Sequence, residues 1–148
     1  MIAMDKYATS AFVAGMLLCL MMGADVARAQ TQKPAAGIVA AKLKVSHVDP
    51  DGAEKLIKAK KVVVLDVRQA QEYQAGHIPG AKNIDFLKED FEKRLGELDK
   101  NQTYLVHCAS GGRSTRSLTV FNRAGFKSIV HLDGGMRAWE KAGKDVQK

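Results

Sequence analysis

Between Lys61 and Asp66 the chain runs Val62-Val63-Val64-Leu65, apolar at every position. A strand with one wet face alternates apolar and polar residues. An unbroken run of this kind belongs to a strand covered on both faces, as in a parallel sheet sandwiched between helices. The neighbouring segments fit that frame. Val45 to Val48, Lys82 to Ile84, Thr103 to His107 and Ser128 to Leu132 read as four further strands. The stretches between them have the composition of helices. Asp49 is placed to cap a helix with Pro50 in its first position, running to about Lys60. A short helix over Gln69 to Gln74 stops at Gly76, and Leu87, Phe91, Leu95 and Leu98 form one stripe of a helix over 87–98. Ser114 to Ala124, closed by Gly125, and Met136 to Ala142, with Trp139 on its inner face, complete the set. Strands alternating with helices predict an α/β domain, a five-stranded mainly parallel sheet flanked by helices. With 148 residues there is room for one such domain.

In sheets of this class, sites form beyond the carboxyl ends of the strands. Two candidates fall there: Asp66-Val67-Arg68 after one strand and His107-Cys108-Ala109-Ser110-Gly111-Gly112-Arg113-Ser114 after another. A strand that delivers one cysteine into a glycine-containing loop opening a helix can aim several backbone N–H groups at one point. The helix start adds positive potential there. A thiol at that point ionises more readily, and the thiolate is the nucleophile. Gly111 and Gly112 permit the backbone angles of a curled loop, and Arg113 offers a planar cationic fork for an anionic substrate. The competing reading is a buried structural cysteine followed by an ordinary turn.

The loop resembles the active-site loop of the rhodanese family of cysteine-based sulfurtransferases, whose pattern is Cys-x-x-Gly-x-Arg-Ser. It matches at Cys108, Gly111, Arg113 and Ser114. Two further segments resemble the same family. One comprises Asp66-Val67-Arg68, Glu72-Tyr73 and Gly76-His77-Ile78-Pro79-Gly80-Ala81-Lys82-Asn83-Ile84; the other is Leu132-Asp133-Gly134-Gly135-Met136-Arg137-Ala138-Trp139, closing at Gly143. The three stand in the family's order. The resemblance implies a single rhodanese-like domain over 45–148, with the cysteine loop cradled at one edge of the sheet.

It also implies a chemistry. Cys108 would take sulfane sulfur from a small anionic donor such as thiosulfate, expel sulfite and hold a persulfide. A second nucleophile, cyanide or a thiol, would collect that sulfur in a ping-pong sequence. Amides from Ala109, Ser110, Gly111, Gly112, Arg113 and Ser114 would hold the persulfide charge, and Arg113 would orient the donor. Asp66 and Arg68 would brace the rim as a charged pair, and His77 would fix the Gly76-to-Gly80 turn. His107 adjoins Cys108, but strand neighbours point to opposite faces, so it reads as a satisfied core histidine. Glu72 reads as a local ion-pair partner.

No cofactor is expected beyond the covalent persulfide, and no metal: one cysteine with four scattered histidines offers no ligand cluster. Phosphatases and arsenate reductases use a wider Cys-x5-Arg loop, whereas four residues separate Cys108 from Arg113. Non-catalytic versions of the fold lose the cysteine. A sulfur-relay protein with an exported thiol protein as acceptor shares the persulfide chemistry.

The start of the chain has another character. Lys6 precedes an uncharged run from Ala11 to Ala24, followed by Ala27-Arg28-Ala29, a small-x-small site of the type signal peptidase cuts. The expectation is a signal peptide over 1–29, a Lys/Ala/Pro-containing flexible leader over 30–44, and export to a bacterial periplasm. The apolar run is shorter than the ~20 residues a spanning helix needs, so no membrane span is expected to survive cleavage. Cys19 would leave with the signal, so Cys108 would be the one thiol of the exported protein. The net charge of +7 favours acidic or anionic partners. Its lysines are scattered without interleaved aromatic residues, which argues against nucleic acid.

Overall fold

A computed structural model describes residues 42–148. The expected signal peptide and most of the expected leader lie outside the described residues. The elements follow in strict alternation: β1 (Lys44–Val48), α1 (Pro50–Lys58), β2 (Val63–Asp66), α2 (Ala70–Ala75), β3 (Lys82–Asn83), α3 (Phe91–Gly96), β4 (Tyr104–His107), α4 (Gly112–Arg123), β5 (Ser128–Leu132) and α5 (Gly135–Lys141). The five strands form one sheet in the order β1-β5-β4-β2-β3, and each adjacent pair is parallel. The architecture is therefore α/β, as the apolar run in β2 required. The Cys108 loop leaves β4, the middle strand, so it sits at the centre of the carboxyl rim and not at a lateral edge of the sheet.

Alternation along each strand builds two cores. On one face Leu65, Tyr104, Val106, Cys108 and Ile129 pack with Phe91, Leu95 and Phe121 beneath α3 and α4. On the other, Val64, Leu105, Val130 and Leu132 pack with Ala53, Met136 and Trp139 beneath α1 and α5. Trp139 is buried, and its indole N–H donates to Asp145 O at 2.8 Å. The same alternation puts His131 of β5 on the Cys108 face, and Asp66 and His107 on the opposite face.

Helix starts follow local chemistry. Asp49 accepts the Gly52 N–H at 2.7 Å, and Pro50 fills the first turn of α1. Gln69 and Glu72 form a capping box on α2. The helix expected over 87–98 is shorter. The Asp85 side chain accepts the Leu87 N–H at 2.9 Å and its carbonyl accepts that of Lys88, which holds 85–88 in a turn and starts α3 only at Phe91. Leu87, expected on the buried stripe, is 54% exposed. Among the described residues no helix is long and apolar enough to cross a membrane.

Candidate active site

Cys108 follows β4 directly, and its side chain is almost fully enclosed, the residue being 1% exposed. Enclosure does not turn the loop away from it. The Gly111 N–H donates to Sγ at 3.2 Å, and the Ser114 hydroxyl lies 3.5 Å from the same sulfur. Burial pushes the thiol pKa up. The Ser114 hydroxyl, then the backbone N–H groups of Ser114, Ser110 and Gly111, pull it down and prevail, so the net shift is downward.

The orientation of those amides has an identifiable cause. Cys108 O accepts the Met136 N–H at 2.8 Å and Ala109 O accepts the Arg137 N–H at 3.0 Å. The first turn of α5 thus draws the loop carbonyls to itself, and the loop's N–H groups are left facing the sulfur. This docking demands glycine at 135, where φ is +57° and a Cβ would collide with Cys108 O. Gly111 caps α4 at φ +105°, a conformation that also requires glycine. Gly112 does not share that role. It sits in the first turn of α4 without positive φ, and a Cβ there would meet nothing within 4 Å.

Arg113 carries its charge beside this loop, but the fork expected to be open is closed. Its terminal nitrogens donate to the two carboxylate oxygens of Glu72 at 2.6 and 2.7 Å. The pair pulls the Glu72 carboxyl below its ordinary range and lifts Arg113 further. Glu72 also accepts the Gln69 N–H, so it joins the start of α2 to the cysteine loop as well as pairing locally.

Asp66 and Arg68 form the expected rim brace. Arg68 Nε and Nη2 reach Asp66 Oδ2 at 2.9 and 2.7 Å, and Nη2 also donates to Gly76 O at 2.7 Å, with both side chains buried. His77 Nδ1 lies 3.0 Å from Tyr73 O, and its ring stacks on Tyr73. His107 is in the core but is not satisfied: Nε2 has no hydrogen-bond partner and lies 3.8 Å from Asp66. Burial drives its pKa down, which keeps the ring neutral.

The histidines are not all scattered. β1 and β5 place His47 directly opposite His131. The Nδ1 atoms of His47 and His131 approach the same Asp133 Oδ1 at 2.8 and 3.2 Å. On its other side His131 Nε2 lies 2.9 Å from Ser114 Oγ. This trio, with its ring nitrogens and carboxylate oxygen within 4.8 Å of one another, corrects the expectation that the histidines form no cluster. Sequence reasoning missed it because β1 and β5 are far apart in the chain; the available signal was the His131-x-Asp133 spacing, which keeps both side chains on one side of the strand.

A model of the rhodanese-like domain family matches residues 49–142. YrkF of Bacillus subtilis, named a putative sulfur carrier protein, is 35% identical over 86 residues, covering 58% of this chain and 45% of that protein. The thiosulfate sulfurtransferase GlpE of Shewanella oneidensis is 29% identical over 96 residues, covering 65% of this chain and 93% of that one. The crystal structure of a rhodanese-related protein from Thermoplasma volcanium matches with a TM-score of 0.62 at 27% identity, over 69% of this chain and 97% of that one. The chain thus spans less than half the length of the sulfur-carrier relative and nearly all of the sulfurtransferase. With the motif order, the parallel sheet and the cysteine loop in agreement, the chain belongs to the rhodanese-like domain family.

Proposed function

We propose that the protein is a sulfurtransferase that carries sulfane sulfur as a persulfide on Cys108, with thiosulfate as a donor. The observation that carries this reading is the set of loop amides turned onto Cys108 Sγ, with a downward shift of the thiol despite its enclosure. The thiolate attacks the outer sulfur of thiosulfate, the S–S bond breaks, and sulfite leaves with the bonding pair. The extra sulfur carries negative charge into the same amide cradle, which compensates it without a metal or an added proton. A thiophilic acceptor, cyanide or a thiol, then takes the outer sulfur and regenerates the thiolate.

In this scheme Arg113 holds the rim of the loop through Glu72 and lends positive potential to an approaching anion, in place of the free fork expected from sequence. Asp66 and Arg68 are supports. The sulfur-carrier relative of Bacillus subtilis favours a second use of the same persulfide, delivery to a protein thiol. The basic charge suits an acidic acceptor. The Ala11-to-Ala24 run and the Ala27-Arg28-Ala29 site support export as the setting of both readings.

The test is thiocyanate formation from thiosulfate and cyanide. The wild-type protein gives parallel double-reciprocal lines, and Cys108→Ser gives no turnover with its fold intact. Turnover by the folded serine variant would overturn the assignment.

A further inference from the structure

We propose that Ser114, His131 and Asp133 form a proton relay that removes the Cys108 proton as the thiolate forms. The inference deepens the sulfurtransferase reading and rests on it. A continuous line of polar contacts leads from the sulfur to the surface. Cys108 Sγ lies 3.5 Å from Ser114 Oγ, which lies 2.9 Å from His131 Nε2; His131 Nδ1 lies 3.2 Å from Asp133 Oδ1. The four groups come from the β4–α4 loop, α4, β5 and the residue just past β5. The inner part is buried, Ser114 at 0% and His131 at 3% exposure, whereas the Asp133 side chain is 57% exposed.

The direction of the relay follows from what each atom can donate. An ionised carboxylate only accepts, so the proton of neutral His131 stands on Nδ1, bonded to Asp133. Nε2 is then bare and must accept, and the group at 2.9 Å from it is the Ser114 hydroxyl. That hydroxyl has one proton and three acceptors in reach: His131 Nε2, Gly111 O at 2.9 Å and Cys108 Sγ. Donating to His131, it turns a lone pair to the thiol.

The transfer balances without a co-reactant. The Cys108 S–H bond breaks as its proton joins Ser114 Oγ, and the Ser114 proton moves to His131 Nε2, giving a thiolate and an imidazolium. His131 now donates to Ser114, Ser114 donates to the thiolate, and Asp133 faces the imidazolium charge. This is the arrangement in which a carboxylate orients a histidine for a nucleophile, extended by one hydroxyl.

The surroundings suit the exchange. His131 is faced by His47 from β1, by Asp133 and by the Thr115 hydroxyl of α4 at 3.4 Å, while His107 lies on the opposite face of the sheet, where burial keeps it uncharged. Hydrogen bonding from His47, and then from His131, holds the Asp133 carboxyl below its usual range, so it stays ionised as the orienting group. On the cysteine side the charges of Arg113 and Arg68 are compensated by Glu72 and Asp66. No other base lies within hydrogen-bond reach of Sγ among the described residues.

The readout is the pH profile of iodoacetamide alkylation, followed on the Cys108 peptide by mass spectrometry. His131→Gln and Ser114→Ala are each expected to slow alkylation at neutral pH about tenfold, moving the profile up by about one pH unit. The double variant is expected to go no further than either single one, and Asp133→Asn to move the profile in the same direction by less. A folded His131→Gln protein whose profile superimposes on wild type overturns the relay. Should that variant fail to fold by circular dichroism, the exposed Asp133→Asn decides: a displaced profile upholds the relay and an unmoved one overturns it. Sulfur uptake from thiosulfate is measured on the same samples. Uptake with unmoved profiles defeats the relay alone, while displaced profiles in a protein that takes up no sulfur defeat the sulfurtransferase reading and leave the relay standing.

Discussion

Gly135 lies so close to the carbonyl oxygen of Cys108 that a Cβ there would overlap it, leaving no space for a side chain between α5 and the cysteine loop. The contact ties two parts of the sequence together, because the N–H groups just after Gly135 hold the loop carbonyls outward. Gly135→Ala combines a left-handed backbone with a collision against main chain that cannot rotate away. It is expected to cost about 2 kcal/mol or more, and to raise the thiol pKa by releasing the loop. Urea denaturation gives the first quantity and alkylation against pH the second.

The two adjacent loop glycines separate conformation from space. Gly111→Ala places a side chain at φ +105° and is expected to cost about 1–2 kcal/mol. Gly112→Ala meets open space in a helical turn and is expected to leave stability unchanged or to raise it by about 0.5 kcal/mol. Thermal unfolding of the two single variants compares them. Equal losses would mean that both glycines serve the curl, as the sequence alone suggested.

Breaking the buried pair between Asp66 and Arg68 should be far more damaging than breaking the one between Glu72 and Arg113. Arg68→Ala leaves the Asp66 charge enclosed and Gly76 O without its donor, at an expected cost of about 3–5 kcal/mol. Arg113→Ala acts on a half-buried pair and is expected to cost at most about 1 kcal/mol. Its larger expected effect is on thiosulfate use, with kcat/KM down roughly tenfold for the loss of one charge contact of about 1.4 kcal/mol. Denaturation midpoints and steady-state rates measure the two sides.

The Glu72 pair also predicts a pH dependence. Arg113 holds the folded carboxyl below its ordinary range, whereas the unfolded chain restores it, so the pair stabilises at neutral pH. That contribution is full above the ordinary carboxylate pKa of 4.5 and is lost as pH falls through the lower folded value. Glu72→Gln is therefore expected to be less stable than wild type at pH 7 and to converge on it in acid. Urea midpoints across the acid range provide the check.

Periodicity carried the fold, since strands such as β2 announce themselves by consecutive apolar residues, Val62 to Leu65, and are buried on both faces. It failed at Leu87, where the stripe pattern persists but an Asp85 turn takes the backbone hydrogen bonds a helix would need. The nucleophile and its amides were legible because they lie in one short segment. Glu72 on Arg113 and His131 on Ser114 were not, since each contact depends on the sheet bringing separate segments to one rim. Residue types alone left Arg113 free and the histidines scattered; strand order and register closed the one and gathered the others.

The most direct measurement is the intact mass of the protein after thiosulfate treatment, with the mass change localised by peptide mapping. A sulfur carrier on Cys108 gains one sulfur atom on that peptide, loses it to cyanide or a thiol reductant, and gains none as Cys108→Ser. An unchanged mass in the folded wild-type protein, or an added sulfur anywhere but on Cys108, would contradict the account.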